Sequence, residues 1–255
     1  MLRDRLGPLS SSLTEAIERS LQQTHRCEAQ AALDAALSAR LKALRGWQAR
    51  RLARTYADLR TDRRYRPAVE FFLNELYGPQ DFDPRERAFE RAWRRLRRAL
   101  PPMLLEVLAA VAELQALTSE LDLAVAVRLP ATQITAPRYL AAYRAADSAA
   151  QRSRQIDLIV EIGRRLSDAV ALPWVDWALR AAHWPAHALG FAPLQTFLEH
   201  GHQAFRALGD ASAFLAAIAE RESSLMQALL QGPDAAALAL LGSEGDPAVA
   251  VGCRS

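Results

Sequence analysis

The sequence predicts an all-α fold, a multi-helix bundle of about nine to ten mostly antiparallel helices, and three observations carry the prediction. Apolar residues recur at intervals of three and four along nearly the whole chain, the spacing that lines one face of an α-helix. No stretch of useful length alternates apolar and polar residues between turn residues, as a half-buried strand would. Prolines, glycines and capping residues stand where helices would need to start and stop, leaving short loops between them.

Taken in order, Ser10-Ser11-Ser12 offers N-caps for a first helix running through about Ala39. Its stripe of Leu13, Ile17 and Leu21 weakens around Thr24 to Cys27, where a break is expected. From Leu37 a second stripe runs through Leu41, Leu44, Gln48, Leu52, Tyr56 and Leu59, with Arg45, Arg50, Arg51 and Arg54 turned mainly outward. Pro67 suits the first turn of a third helix that carries Val69, Phe72, Leu73 and Leu76 and stops at Gly78-Pro79. Asp83-Pro84 caps a fourth helix, 84–99, with Phe89, Trp93, Leu96 and Leu100 on one face. Met103 to Leu129 is the expected central helix, rich in leucine and valine, with Glu106, Glu113 and Glu120 repeating along another face.

After Pro130 the pattern predicts a short helix near 137–146 and a longer one from about Ser148 to Leu172. Pro173 starts the next helix, which Pro185 should kink or end, because proline inside a helix costs about 3 kcal/mol. Pro193 to Leu208 and Asp210 to Leu230 follow, separated by Gly209-Asp210 as stop and cap. Residues 1–231 read as a single all-helical domain, with the Pro-flanked loop 129–137 as the place that suits a subdivision. Residues 232–255 read as a C-terminal tail expected to fray.

Composition narrows the function classes. The 255 residues are 51% hydrophobic, enough for a sizeable core. No apolar run of signal-peptide or membrane-span length is visible, so the expected location is cytoplasmic. Two cysteines, Cys27 and Cys253, cannot build a disulfide framework or a cysteine metal knuckle, and neither stands in a pattern that suggests a thiol enzyme. The formal charge of +3 hides an asymmetry: residues 1–100 hold 21 Lys+Arg against 13 Asp+Glu, and the remainder holds 11 against 16.

Two constellations offer chemistry. Four of the five histidines fall between 183 and 202. His183 and His187 are four apart on one helix face, and Glu199 with His202 forms a Glu-x-x-His step, so His183, His187, Glu199 and His202 form a candidate metal or haem site. No second Glu-x-x-His accompanies them, and the ordinary alternative is histidines that cap helices or lie on a wet surface. The fourth helix is basic and amphipathic, and Arg91, Arg94, Arg95 and Arg98 make it a candidate contact face for an acidic protein, with nucleic acid or an anionic membrane surface as further options. Glu106, Glu113 and Glu120 read as a solvated edge; were they buried, the arginines of the second and fourth helices would be their expected partners. Gln48 and Asn74 share stripes with core residues and form a candidate buried polar pair.

Two stretches carry a resemblance. Trp47-Gln48, Arg51-Leu52 and Tyr56 run into FFLNELYGPQDF, and FLEHGHQAFRALGDASAFLAAIAERE follows at 197–222. They resemble an uncharacterised bacterial helical family with an FFLxxLYGPxDF-type signature and a later FLExGxxAF segment, over roughly residues 37 to 231. The resemblance implies a helical protein and brings no activity, cofactor or site residue. The sequence thus points to a non-enzymatic binding or regulatory protein of unknown activity for which no cofactor is predicted, with a helical metal- or haem-binding enzyme as the alternative.

Overall fold

The computed structural model describes the backbone of residues 2–73, 93, 102–190 and 192–242. Among these residues every regular element is a helix. They are α1 (Leu2–Ala32), α2 (Ala35–Thr55), α3 (Ala57–Thr61), α4 (Arg66–Phe71), α5 (Pro102–Arg128), α6 (Ala136–Ala145), α7 (Ala149–Val170), α8 (Pro173–Ala188), α9 (Ala192–Leu208), α10 (Ser212–Gln231) and α11 (Asp234–Leu241). The expected fourth helix, 84–99, lies outside the described residues apart from Trp93.

The break expected inside the first helix is absent, and α1 runs on to Ala32. Thr24 is buried and donates its hydroxyl to the Ser20 carbonyl at 3.2 Å, so the stripe continues through Thr24, Cys27 and Ala31 in small and polar residues. The chain turns instead at Leu33-Asp34. There the Asp34 carboxylate accepts from the Ala36 amide at 2.8 Å, capping α2. Helix α2 ends before Leu59 because Tyr56 leaves helical geometry (φ −110°, ψ 18°) with its ring buried.

Gly209-Asp210 acts as expected: Gly209 takes a left-handed φ of 66°, and Asp210 accepts from the Ser212 amide at 2.9 Å. Pro185 neither ends nor interrupts α8, which continues one further turn to Ala188. The flanking residues Ala181, Ala182, Trp184 and Pro185 are exposed, so a carbonyl deprived of its amide partner can turn to water. Past Gly232 the chain enters α11, which buries Ala237 and Leu241 completely or nearly so, and residues 243–255 of the expected tail lie outside the described residues.

Helix α5 is central, as its leucine-rich pattern predicts, and packs against α1, α2, α6 and α7. Two main apolar clusters build the interior. The first joins the end of α1, the first half of α2, the end of α5, and α6, α10 and α11, around Leu44, Val125, Ala126 and Leu229, all at or below 1% exposure. It draws from both sides of the loop at 129–137. The second joins the end of α2 and Tyr56 to α4, α9 and the start of α10, around Leu52, Val69, Leu208 and Phe214. Burying each such side chain contributes about 1.5–3 kcal/mol. Helices α7 and α10 approach closely at Gly163, where a Cβ would stand 2.3 Å from Leu215 Cδ2. That approach brings α7 against the second cluster, on which Ile159, Val160, Leu166 and Val170 pack, and places it beside the cavity between the two.

Two of the glutamates read as a solvated edge, Glu106 and Glu113, lie half exposed and pair with arginines of α7. Arg154 of α7 donates Nε and Nη2 to the two carboxylate oxygens of Glu113, each at 2.8 Å, and Arg165 reaches Glu106 at 2.5 Å. Both glutamates are nearly half exposed, so these pairs sit at a wet edge and add little stability.

Candidate functional site

Where the two clusters meet, α2, α5, α6, α7 and α10 line a cavity of about 70 Å³ whose largely apolar wall carries several charged and polar side chains. Of the candidate buried polar pair, Gln48 lies half-buried in its wall, and Asn74 lies outside the described residues. The partner of Gln48 is Asp122 of α5, whose carboxylate accepts from the amide. Arg45 supports the same carboxylate at 3.5 Å. Burial pushes the Asp122 carboxyl above its ordinary range, and the charges of Arg45 and Arg152 with the Gln48 hydrogen bond offset only part of that push.

Arg51 corrects an expectation, because it points inward. Its Nη1 donates to both Glu222 oxygens, at 2.7 and 3.0 Å, and the two side chains are only 11% and 15% exposed. Tyr56 completes the group by donating its hydroxyl to Glu222 at 2.9 Å. Burial alone would ease the proton off Arg51, but the Glu222 charge and hydrogen bond prevail and hold the guanidinium more firmly protonated than usual.

Across the cavity an aromatic ladder leads to a second buried cation. Trp47 stacks on Tyr139 at 4.3 Å between ring centroids, and Tyr139 and Tyr143, one turn apart on α6, stand at 5.6 Å. The Arg152 guanidinium lies over the Tyr143 ring, 4.4 Å from its centroid. Arg152 is 7% exposed, and neither its Nε nor its Nη2 has a hydrogen-bond partner among the described residues. The local backbone explains its direction. Asp147 takes a left-handed φ of 42° after α6, α7 starts at once, and the Arg152 amide donates to the Ser148 carbonyl at 2.9 Å. Arg152 thus shares the inward stripe of Ile156 and Ile159. Burial also keeps the Tyr143 phenol protonated well above its ordinary range, so it remains a donor. Thr118 is occupied by Gln155, which donates to its hydroxyl at 2.8 Å. Among the described lining residues there is no serine, cysteine or histidine.

The histidine constellation forms in part. His183 Nδ1 stands 2.8 Å from Glu199 Oε1, which also accepts from Gln195 at 2.8 Å, and the His183 and His187 rings lie 4.6 Å apart. Burial raises the Glu199 carboxyl, but the Gln195 and His183 hydrogen bonds outweigh it and leave the carboxyl below its ordinary range. His202 does not share that exposed setting: it is buried on the stripe of Gln195, Phe205 and Leu208. Among the described residues no group of three or more His, Cys, Asp or Glu is arranged to hold a metal ion. The neighbouring face of α8 carries exposed Trp174, Trp177 and Trp184. Cys27 is buried, which raises its thiol above the ordinary value. The basic face of Arg91, Arg94, Arg95 and Arg98 lies outside the described residues. Among the described residues no helix is long and apolar enough to cross a membrane.

The cavity residues the sequence reading missed, Arg51, Asp122, Tyr139, Tyr143, Arg152 and Glu222, had one available signal. Arg51 follows Trp47 and Gln48 by one helical turn, and Arg152 precedes Ile156 by one turn, so each charge occupies a position where the stripe calls for an apolar residue.

Comparison with known families matches residues 27–236 to a domain of unknown function, DUF8198, a range that contains the region of the resemblance described above. No curated protein and no solved structure matches.

Proposed function

The chain belongs to the DUF8198 family, whose function is unknown, and we propose that it is a binding protein that takes a small anion into the cavity between its two cores. One observation carries the reading: Arg152 is buried, and its Nε and Nη2 lack hydrogen-bond partners among the described residues. A buried charge without hydrogen bonds is costly, and folds keep one where a ligand or a specific role compensates it. Glu222 is committed to Arg51 and Tyr56, and Asp122 to Arg45 and Gln48; Arg152 adds its charge to that around Asp122 but keeps unused hydrogen-bond donors for an anion.

The test is thermal unfolding of the full chain against small anions at constant ionic strength. A ligand at a hundred times its Kd adds about 2.7 kcal/mol, which for a chain of this size raises Tm by about 5–10 °C. Arg152→Met should lose that rise while its ligand-free Tm stays level or increases, because a buried cation has been removed. Equal responses of wild type and variant would refute the reading.

A second binding reading rests on the charge asymmetry, +8 in residues 1–100 against −5 in the rest. The face of Arg91, Arg94, Arg95 and Arg98 would meet an acidic protein partner, with nucleic acid and an anionic membrane surface less well supported by so modest a total charge. Reversing Arg94, Arg95 and Arg98 to glutamate should abolish recovery of such a partner in a pull-down with helical circular dichroism unchanged; undiminished recovery would count against it. The metal or haem alternative has weaker support, because His183 and Glu199 already satisfy one another and His202 is buried apart from that exposed pair.

A further inference from the structure

We infer that the anion is a short-chain monocarboxylate, gripped by two parallel hydrogen bonds from Nε and Nη2 of Arg152, with its alkyl end against the apolar wall of the cavity. The inference rests on the anion-binding reading above and specifies its ligand.

Geometry comes first. The hydrogens on Nε and Nη2 lie on the same edge of the guanidinium plane, at the spacing of two carboxylate oxygens. The same helix shows this edge in use: Arg154, two residues on, donates Nε and Nη2 to the paired oxygens of Glu113, each at 2.8 Å. In Arg152 these same two atoms are the ones without partners, and each exposes less than 1 Å², so a ligand reaches them by displacing the side chains that close over that edge. Tyr143 covers a face of the guanidinium at 4.4 Å, which directs a ligand to the edge and favours a planar group.

Charge comes second. Arg51 neutralises Glu222 and Arg45 neutralises Asp122, which leaves a single positive charge for the ligand to match. A monocarboxylate does so. A phosphate dianion would carry a second negative charge into an interior that already holds two carboxyl groups, and its remaining oxygens would need donors there.

Size and polarity come third. A cavity of about 70 Å³ has room for a handful of non-hydrogen atoms, because one water needs about 10–15 Å³ measured in the same way. That space suits acids from acetate to about butyrate and is too small for a nucleotide or a haem. Ile156, Ile159, Ile218 and Met226 supply the wall for the alkyl end. Each methylene that fits should tighten binding about fourfold until the space is filled.

Isothermal titration of the full chain with acetate, propionate, butyrate, octanoate, phosphate and sulfate at matched ionic strength tests the inference. The expected result is saturable binding of the short acids, rising about fourfold per methylene and collapsing at octanoate, with phosphate and sulfate silent. Arg152→Lys keeps the charge and loses the paired edge, so it should weaken butyrate at least tenfold; Arg152→Met should abolish it. Circular dichroism confirms that each variant folds, and should neither fold, the wild-type preference for carboxylate over sulfate decides the class alone. Binding of phosphate or sulfate that depends on Arg152, without carboxylate binding, would overturn the carboxylate class and leave the anion site standing. No binding by any of these anions, or carboxylate binding unchanged in both variants, would overturn both.

Discussion

Replacing Glu222 with leucine is expected to lower the unfolding free energy by about 3–5 kcal/mol, the cost of stranding a buried partner charge. Glu222 receives Arg51 at 2.7 and 3.0 Å and Tyr56 at 2.9 Å, with both charged side chains largely shielded from water. Leucine keeps similar bulk, so little of the loss is packing; it is the stranded guanidinium and phenol that count. The contrast is the double variant Arg51→Met with Glu222→Leu, which removes both charges and should recover most of the loss, since well-packed apolar replacements of a buried pair are often neutral or stabilising. Urea denaturation of the two variants measures the difference directly. A single Glu222→Leu variant within about 1 kcal/mol of wild type would show that the pair is solvated.

Trp47→Ala is expected to cost about 3–5 kcal/mol, as large aromatic truncations in cores do. Trp47 is 5% exposed and belongs to the cluster that joins α2 to α5, α6 and α10. Its loss also reaches the cavity, because its ring stacks on Tyr139, which stands beside Tyr143, on which Arg152 lies. Trp47→Phe retains a ring at that position and should lose far less. Comparing the two by denaturant midpoint and by anion-induced Tm shift separates the roles. If the ladder positions Arg152, anion binding should weaken in Trp47→Ala even at a temperature where the variant is fully folded. A full anion response in that variant would assign Trp47 to packing alone.

Much of the architecture was legible in the chain because it depends on neighbours within a turn or two. The stripe from Met103 to Leu129 became α5, and Gly209 with Asp210 became a stop and a cap, since a left-handed φ and an Asx-type hydrogen bond are local events. Reading errors arose where tertiary packing outweighed local preference. Thr24 looked like a weak point in the first stripe, yet its hydroxyl bonds its own helix and its side chain fills a contact in the interior. Pro185 suits a kink or an end, and α8 does not end there, because the proline sits so near the exposed end of the helix that little is lost by passing it. Arg51 was read as outward because arginines usually are, and only its place on the stripe argued otherwise.

Periodicity, caps and the positions of proline and glycine suffice for an all-α chain with a central α5, because a helix records its buried face in residues three and four apart. Those rules carry no information about which faces meet. Arg51 and Glu222 stand 171 residues apart, and Arg152 reaches the ladder from a third helix. Their partnership exists only once α2, α7 and α10 converge between the two cores, where low polarity makes each unpaired charge costly and each pairing specific. Gln48 marks the border between the two kinds of knowledge: its stripe identified a polar group facing inward, and packing supplied Asp122 as its partner.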